Sequence, residues 1–112
     1  MKNPKLRIEP PRSLGDEIEF FVQSADARKT SCNLHIHSAI ELLYIKDGSY
    51  KVYLNDEPLI AERGDLVLFC SNTMHHVVAG DSTENSYYVI KIEPSFFVNF
   101  SKKQRIFIIL IN

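Results

Sequence analysis

Through the middle of the chain, short apolar runs alternate with turn-forming residues, a pattern that predicts an all-β fold without helical crossovers. Residues 18–23 (IEFFVQ) are rich in β-formers and predict a first strand, and the polar stretch 24–31 predicts a loop after it. Residues 41–46 (ELLYIK) and 49–54 (SYKVYL) flank Asp47-Gly48. That pair predicts a β-hairpin closed by a type I′ turn, whose two central residues both need positive φ. Asn55-Asp56, Arg63-Gly64-Asp65 and residues 71–73 are further turn signals, separating predicted strands over 58–62, 66–69 and 75–79. A polar loop over 80–85 leads to a last strand over 87–92.

The two ends read differently. Residues 1–16 predict a flexible basic arm, with Pro4, Pro10 and Pro11 and without the apolar core of a signal peptide. Residues 17–93 form the predicted barrel, and 94–112 a short C-terminal extension. The extension opens with a helical turn over 94–100. It continues through the basic cluster Lys102, Lys103 and Arg105 into the apolar run 106–110. That run reads either as a last element packed on the barrel or as the end of a truncated chain, exposed and aggregation-prone.

Composition narrows the function classes. The 112 residues suffice for one domain, and 45% of them are apolar, enough for a core. Thirteen basic residues against fourteen acidic ones give a net charge of −1, so the chain has no general attraction to DNA or to anionic membrane. The longest apolar run is far shorter than the roughly 20 residues that span a bilayer, and a cytoplasmic location is expected. Cys32 and Cys70, without a framework spacing, are expected as free thiols, with Cys70 as buried structure.

The candidate chemistry lies in histidines, of which there are four. His35 and His37 are two residues apart, and Glu41 follows at another even offset. On one unbroken strand these three side chains would share a face with Leu43 and Ile45, because successive side chains alternate. Imidazoles and a carboxylate on a core-facing surface are costly unless they pair or bind something. His75 and His76 are the remaining candidates, and as strand neighbours only one of them can point inward.

These residues resemble the cupin superfamily. Its first motif, H-x-H, three or four residues, E, six residues, G, stands here as His35-Ile36-His37, Ser38-Ala39-Ile40, Glu41, residues 42–47 and Gly48. The second motif keeps its spacing from Gly64 to His75, which selects His75 over His76. Departures are Lys29 for a glycine before the first motif, and Cys70, Asn72 and Ala79 for the proline, glycine and asparagine of the second. Asn72 still suits a left-handed turn. Within the superfamily, HSAIELLYIKDG and GDLVLFCSNTMH are most similar to the sensor domain of AraC-type transcription regulators.

The resemblance implies a single jelly-roll barrel that binds a small polar effector such as a sugar and forms a homodimer. In that family two helix-turn-helix units normally follow, and the residues after Ile92 are too few for them, so no direct DNA binding by this chain is expected. His35, His37, Glu41 and His75 are the expected ligand-binding residues, with Tyr44, Tyr53 and Phe69 as candidate apolar walls. The alternative is a stand-alone metal-dependent cupin enzyme of dioxygenase or isomerase type. Its Fe, Mn, Ni or Zn would be held by the same three imidazoles and one carboxylate. The lost motif glycine and proline weigh against an enzyme and towards a sensor.

Overall fold

Apart from the hairpin of the fifth and sixth strands, consecutive strands pass back and forth between two facing sheets. The computed structural model describes residues 6–13, 15–55 and 57–98, so Lys102, Lys103, Arg105 and the run 106–110 lie outside the described residues. The elements are β1 (Arg7–Ile8), β2 (Ile18–Ala25), β3 (Thr30–Ile36), β4 (Ile40–Asp47), β5 (Ser49–Leu54), β6 (Glu57–Glu62), β7 (Leu66–Phe69), β8 (His75–Ala79), β9 (Asn85–Ile92) and α1 (Pro94–Val98). One sheet has the order β1-β3-β8-β5-β6, the other β2-β9-β4-β7. This is the all-β jelly roll expected. Among the described residues no helix is long and apolar enough to cross a membrane.

Alternation along each strand builds the interior. Leu43 and Ile45 of β4, Tyr50 and Val52 of β5, Phe69 of β7, Val77 of β8, and Tyr87 and Val89 of β9 form one buried cluster between the sheets. Every second residue is therefore a core residue, which is what pairs of facing sheets demand. The inward rows do not end in apolar residues. At one end of the barrel they finish in His35, Glu41, His75 and Lys91, all buried.

Four local expectations are corrected. β4 and β5 do not form a hairpin: β4 pairs with β7 and β9, whereas β5 pairs with β6 and β8. Asp47-Gly48 is a corner between sheets, and only Gly48 has positive φ (73°), so the turn is not type I′. The buried Asn85 explains the corner. Its Oδ1 accepts from the Ser49 N–H at 3.1 Å, and its Nδ2 donates to the Ser82 and Ala25 carbonyls at 2.7 and 3.3 Å. The polar loop expected over 24–31 shrinks to residues 26–29, because β2 and β3 both extend into it.

Third, part of the expected flexible arm is tied down. Arg7 and Ile8 pair in parallel with His35 and Ile36, and the Glu9 N–H donates to the Ile36 carbonyl at 2.9 Å. Arg12 contacts Asp16 and Glu19. Fourth, Cys70 is exposed rather than buried, although both cysteines are free thiols as expected.

Candidate metal centre

His35, His37, Glu41 and His75 each present a ligand atom, and these atoms all lie within 4.8 Å of one another. They do not share one unbroken strand. β3 ends at Ile36 and β4 starts at Ile40, with His37 in the link between them. His35 lies directly across from His75 on the paired strands β3 and β8, their ring centroids 4.1 Å apart. Glu41 approaches from the opposite sheet, where Phe69 and Lys91 flank it on β7 and β9. The even spacing survives the break because both sheets face the same interior.

Backbone carbonyls orient all three imidazoles. His35 Nδ1 lies 2.7 Å from the Asn33 carbonyl, His37 Nδ1 2.9 Å from that of Ala39, and His75 Nδ1 2.8 Å from that of Thr73. A carbonyl only accepts, so each Nδ1 carries a proton, and in the neutral form of each ring the lone pair of Nε2 faces the centre. His37 Nε2 is 3.6 Å from one Glu41 oxygen and His75 Nε2 is 3.2 Å from the other. Neither contact has hydrogen-bond geometry, which leaves both buried nitrogens without a hydrogen bond. Lone pairs of imidazole and carboxylate converging in a dry pocket repel one another unless a cation or a proton sits between them.

The donor set fits a divalent transition metal. With bonds of about 2.0–2.2 Å, opposite ligands would sit ~4.2 Å apart, so the cluster needs only a small contraction. Without a cation, protons on the imidazoles take its place: burial pushes Glu41 up, but its attraction to His37, His75 and the Lys91 ammonium outweighs that and holds the carboxyl well below the usual carboxylate range. Burial lowers the pKa of His35, favouring its neutral, ligating form. Burial also acts downward on His37, but the neighbouring Glu41 carboxylate outweighs it and the net shift is upward.

Phe69 is fully buried and stacks on the His75 ring at 4.1 Å, so it forms a wall of the centre. Tyr44 and Tyr53, expected as walls, do not reach it. Tyr44 alternates outward between the buried Leu43 and Ile45 and stacks near Tyr88. Tyr53, next to the buried Val52, stacks on His76 at 4.3 Å. That outer stack also explains why His75, and not His76, faces the interior.

Two nearby residues escaped the sequence reading. Lys91 places Nζ 3.5 Å from a Glu41 oxygen and 3.5 Å from a Glu9 oxygen. Its parity with Tyr87 and Val89 on the predicted last strand was the available signal. Cys32 lies with Sγ 3.2 Å from His35 Nδ1, and burial pushes its thiol up to about 12, so it stays protonated and is a poor ligand or nucleophile.

Solved structures share the architecture. A protein described as a predicted oxalate decarboxylase from Thermotoga maritima superimposes with a TM-score of 0.65 at 18% identity, over 71% of this chain and 70% of its own. An RmlC-like cupin from Methanocaldococcus jannaschii gives 0.65 at 17%, over 74% and 76%. The Cnp3 cupin domain of Schizosaccharomyces pombe gives 0.68 at 9%, over 77% and 63%. At such identities the likeness establishes the cupin fold alone. No match emerges among curated protein sequences. The family described as the AraC-like ligand binding domain matches residues 17–107, most of the sequence. The chain therefore belongs to the AraC-like ligand-binding domain family of cupins.

Proposed function

We propose that this domain senses a small polar molecule at a divalent-metal centre formed by His35, His37, Glu41 and His75. We place it as the effector-binding part of an AraC-type transcription regulator. The observation that carries the reading is the pair of buried Nε2 atoms on His37 and His75, aimed at Glu41 without a hydrogen bond while carbonyls hold the opposite ring nitrogens. Three imidazoles and a carboxylate suit Fe, Mn, Ni or Zn, and such a set leaves room in an octahedral shell for an effector oxygen. A bound cation would act as a Lewis acid towards that oxygen.

The proposed role in transcription rests on the family, and the balanced charge of the chain is consistent with the ligand side of that task. A second copy of the chain is the proposed protein partner. The competing assignment is a stand-alone metal cupin enzyme, in which the protonated thiol of Cys32 would not serve as a nucleophile.

Elemental analysis of protein purified after growth with Fe, Mn, Ni and Zn available tests the reading. One equivalent of metal is expected in the wild type and a loss of at least tenfold in affinity in His37→Ala. A folded wild type that binds none of the four metals would sink it.

A further inference from the structure

We propose that Lys91 anchors the carboxylate of a small organic acid at this centre, so that the effector is an anion rather than a neutral sugar. The inference rests on the metal-centre reading for the coordination positions that such an acid would share.

Lys91 is placed by the same alternation that builds the core, at the last inward position of β9 after Tyr87 and Val89. Its side chain is 11% exposed, and the carboxylates of Glu41 and Glu9 are its neighbours, both at 3.5 Å. Tight charge-assisted hydrogen bonds are shorter, about 2.7–2.9 Å. The ammonium thus sits between two carboxylates without being closely held by either, and three N–H donors are available to it. A cation on the histidines draws on the charge of Glu41 and adds a second positive centre beside Lys91. A nearly buried ammonium in that position, left with Glu9 at 3.5 Å, favours a further anion. Glu9 is the weaker of its two neighbours, being 27% exposed and set on the short N-terminal segment.

Space is present where the charge requires it. A cleft of about 220 Å³ is lined by Arg7, Glu9, Cys32, His35 and Lys91 among others. A smaller cavity of about 70 Å³, bordered by Cys32, Glu41 and Lys91, lies beside it. The cleft therefore reaches both a histidine of the centre and the ammonium. Its volume equals that of roughly seven liquid waters, suited to an acid of a few carbons. With a dication bound, Arg7 and Lys91 leave the cleft with a positive excess over Glu9 and Glu41, which favours an anion and disfavours a neutral polyol.

The probes are lactate, malonate and succinate, with lactamide and malonamide as neutral counterparts. Binding to the Mn²⁺-loaded protein is read as loss of water-proton relaxation enhancement, and metal content is measured on the same samples. At least one of the acids is expected to bind tenfold or more tightly than its amide. Lys91→Met should lose that preference while holding Mn²⁺ at the wild-type stoichiometry, and Lys91→Arg should retain it. Equal binding of acid and amide by the wild type, which needs no variant to fold, overturns the proposal. Binding of none of the acids, or a preference unchanged in Lys91→Met, does so too. In each of those cases a loaded metal leaves the metal-centre reading standing. Failure of the wild type to load Mn²⁺ or any of the other metals overturns both.

Discussion

At the residue scale, the three histidines are chemically alike but differently set. Burial dominates at His35 and lowers its pKa below the ordinary 6.5, whereas the Glu41 carboxylate raises that of His37 above 6.5. In linkage terms, His37 contributes stability to the metal-free protein below pH 6.5, and loses it as pH rises through its raised folded value. His35 has the opposite sign: stability falls as pH drops below 6.5, where the unfolded chain takes up a proton that the folded one refuses. A metal needs all three rings neutral, so its affinity should begin to fall already above pH 6.5, when His37 protonates. NMR titration of the metal-free protein should show His35 titrating below His37, and calorimetry should show proton release on metal binding at pH 6.5. The reverse order of titration would contradict this electrostatic account. The histidines and Glu41 were legible because even spacing on strands fixes a common direction. Lys91 obeys the same parity, but a lysine near the end of a strand reads as solvated until its neighbour Glu41 is placed across from it. The chemistry of Tyr44 and Tyr53 suits a pocket wall, but strand parity sends both outward.

At the element scale, strand positions follow from apolar runs and turn residues, but pairing does not. β4, Asp47-Gly48 and β5 carry every local sign of a hairpin, yet the strands belong to different sheets. A turn signal reports a reversal of the chain and says nothing of whether the second strand bonds to the first or crosses to the facing layer. What decides the corner here is distant in sequence: Asn85, whose side chain caps the Ser49 N–H and ties the turn to β2 and β9. Gly48 combines a φ of 73° with a close approach to Asn85 and the Glu84 carbonyl, where an added Cβ would collide. Gly48→Ala should therefore destabilise the fold by about 2–3 kcal/mol, from left-handed strain plus displacement of Asn85. Asn85→Ala should cost about 1–3 kcal/mol by leaving a buried N–H unpaired. The two sites share one contact, so the double variant should lose less than the two single losses added together. Urea denaturation of the four proteins checks this, and strict additivity would show that the corner is not held by Asn85. Gly64 and Asn72, with φ of 91° and 59°, were by contrast legible from local turn chemistry alone.

At the scale of the whole molecule, the sheet β2-β9-β4-β7 is apolar on both faces. Its inner face completes the core. Its outer face exposes Ile18 (47%), Phe20 (61%) and Val22 (52%) along β2, with Tyr44, Leu66 and Ile90 on the strands beside it. Phe20 stacks on Tyr88 at 5.9 Å and Tyr88 on Tyr44 at 6.3 Å, so the aromatic rings form a continuous stripe across three strands. β2 carries apolar side chains on both faces: Phe21 and Ala25 pack on the core beside the polar Glu19 and Gln23, while Ile18, Phe20 and Val22 point away from it. Contiguous exposed apolar surface of this kind marks an interaction site. A four-stranded sheet with strands up to eight residues long covers about 19 by 26 Å in plan, on the order of 500 Å² before side-chain relief is added. That approaches the roughly 800 Å² per partner of a standard interface. A flat sheet face also meets a second copy of itself through a two-fold axis with aromatic stripe against aromatic stripe. The chain is therefore expected to sediment as a dimer at micromolar concentration. Phe20→Glu places a desolvated charge at the middle of the stripe on both copies and should shift it to monomer, with metal content unchanged because the substitution lies on the opposite face of the sheet from Glu41. A monomeric wild type, or a dimer that survives Phe20→Glu intact, would assign this face to another partner.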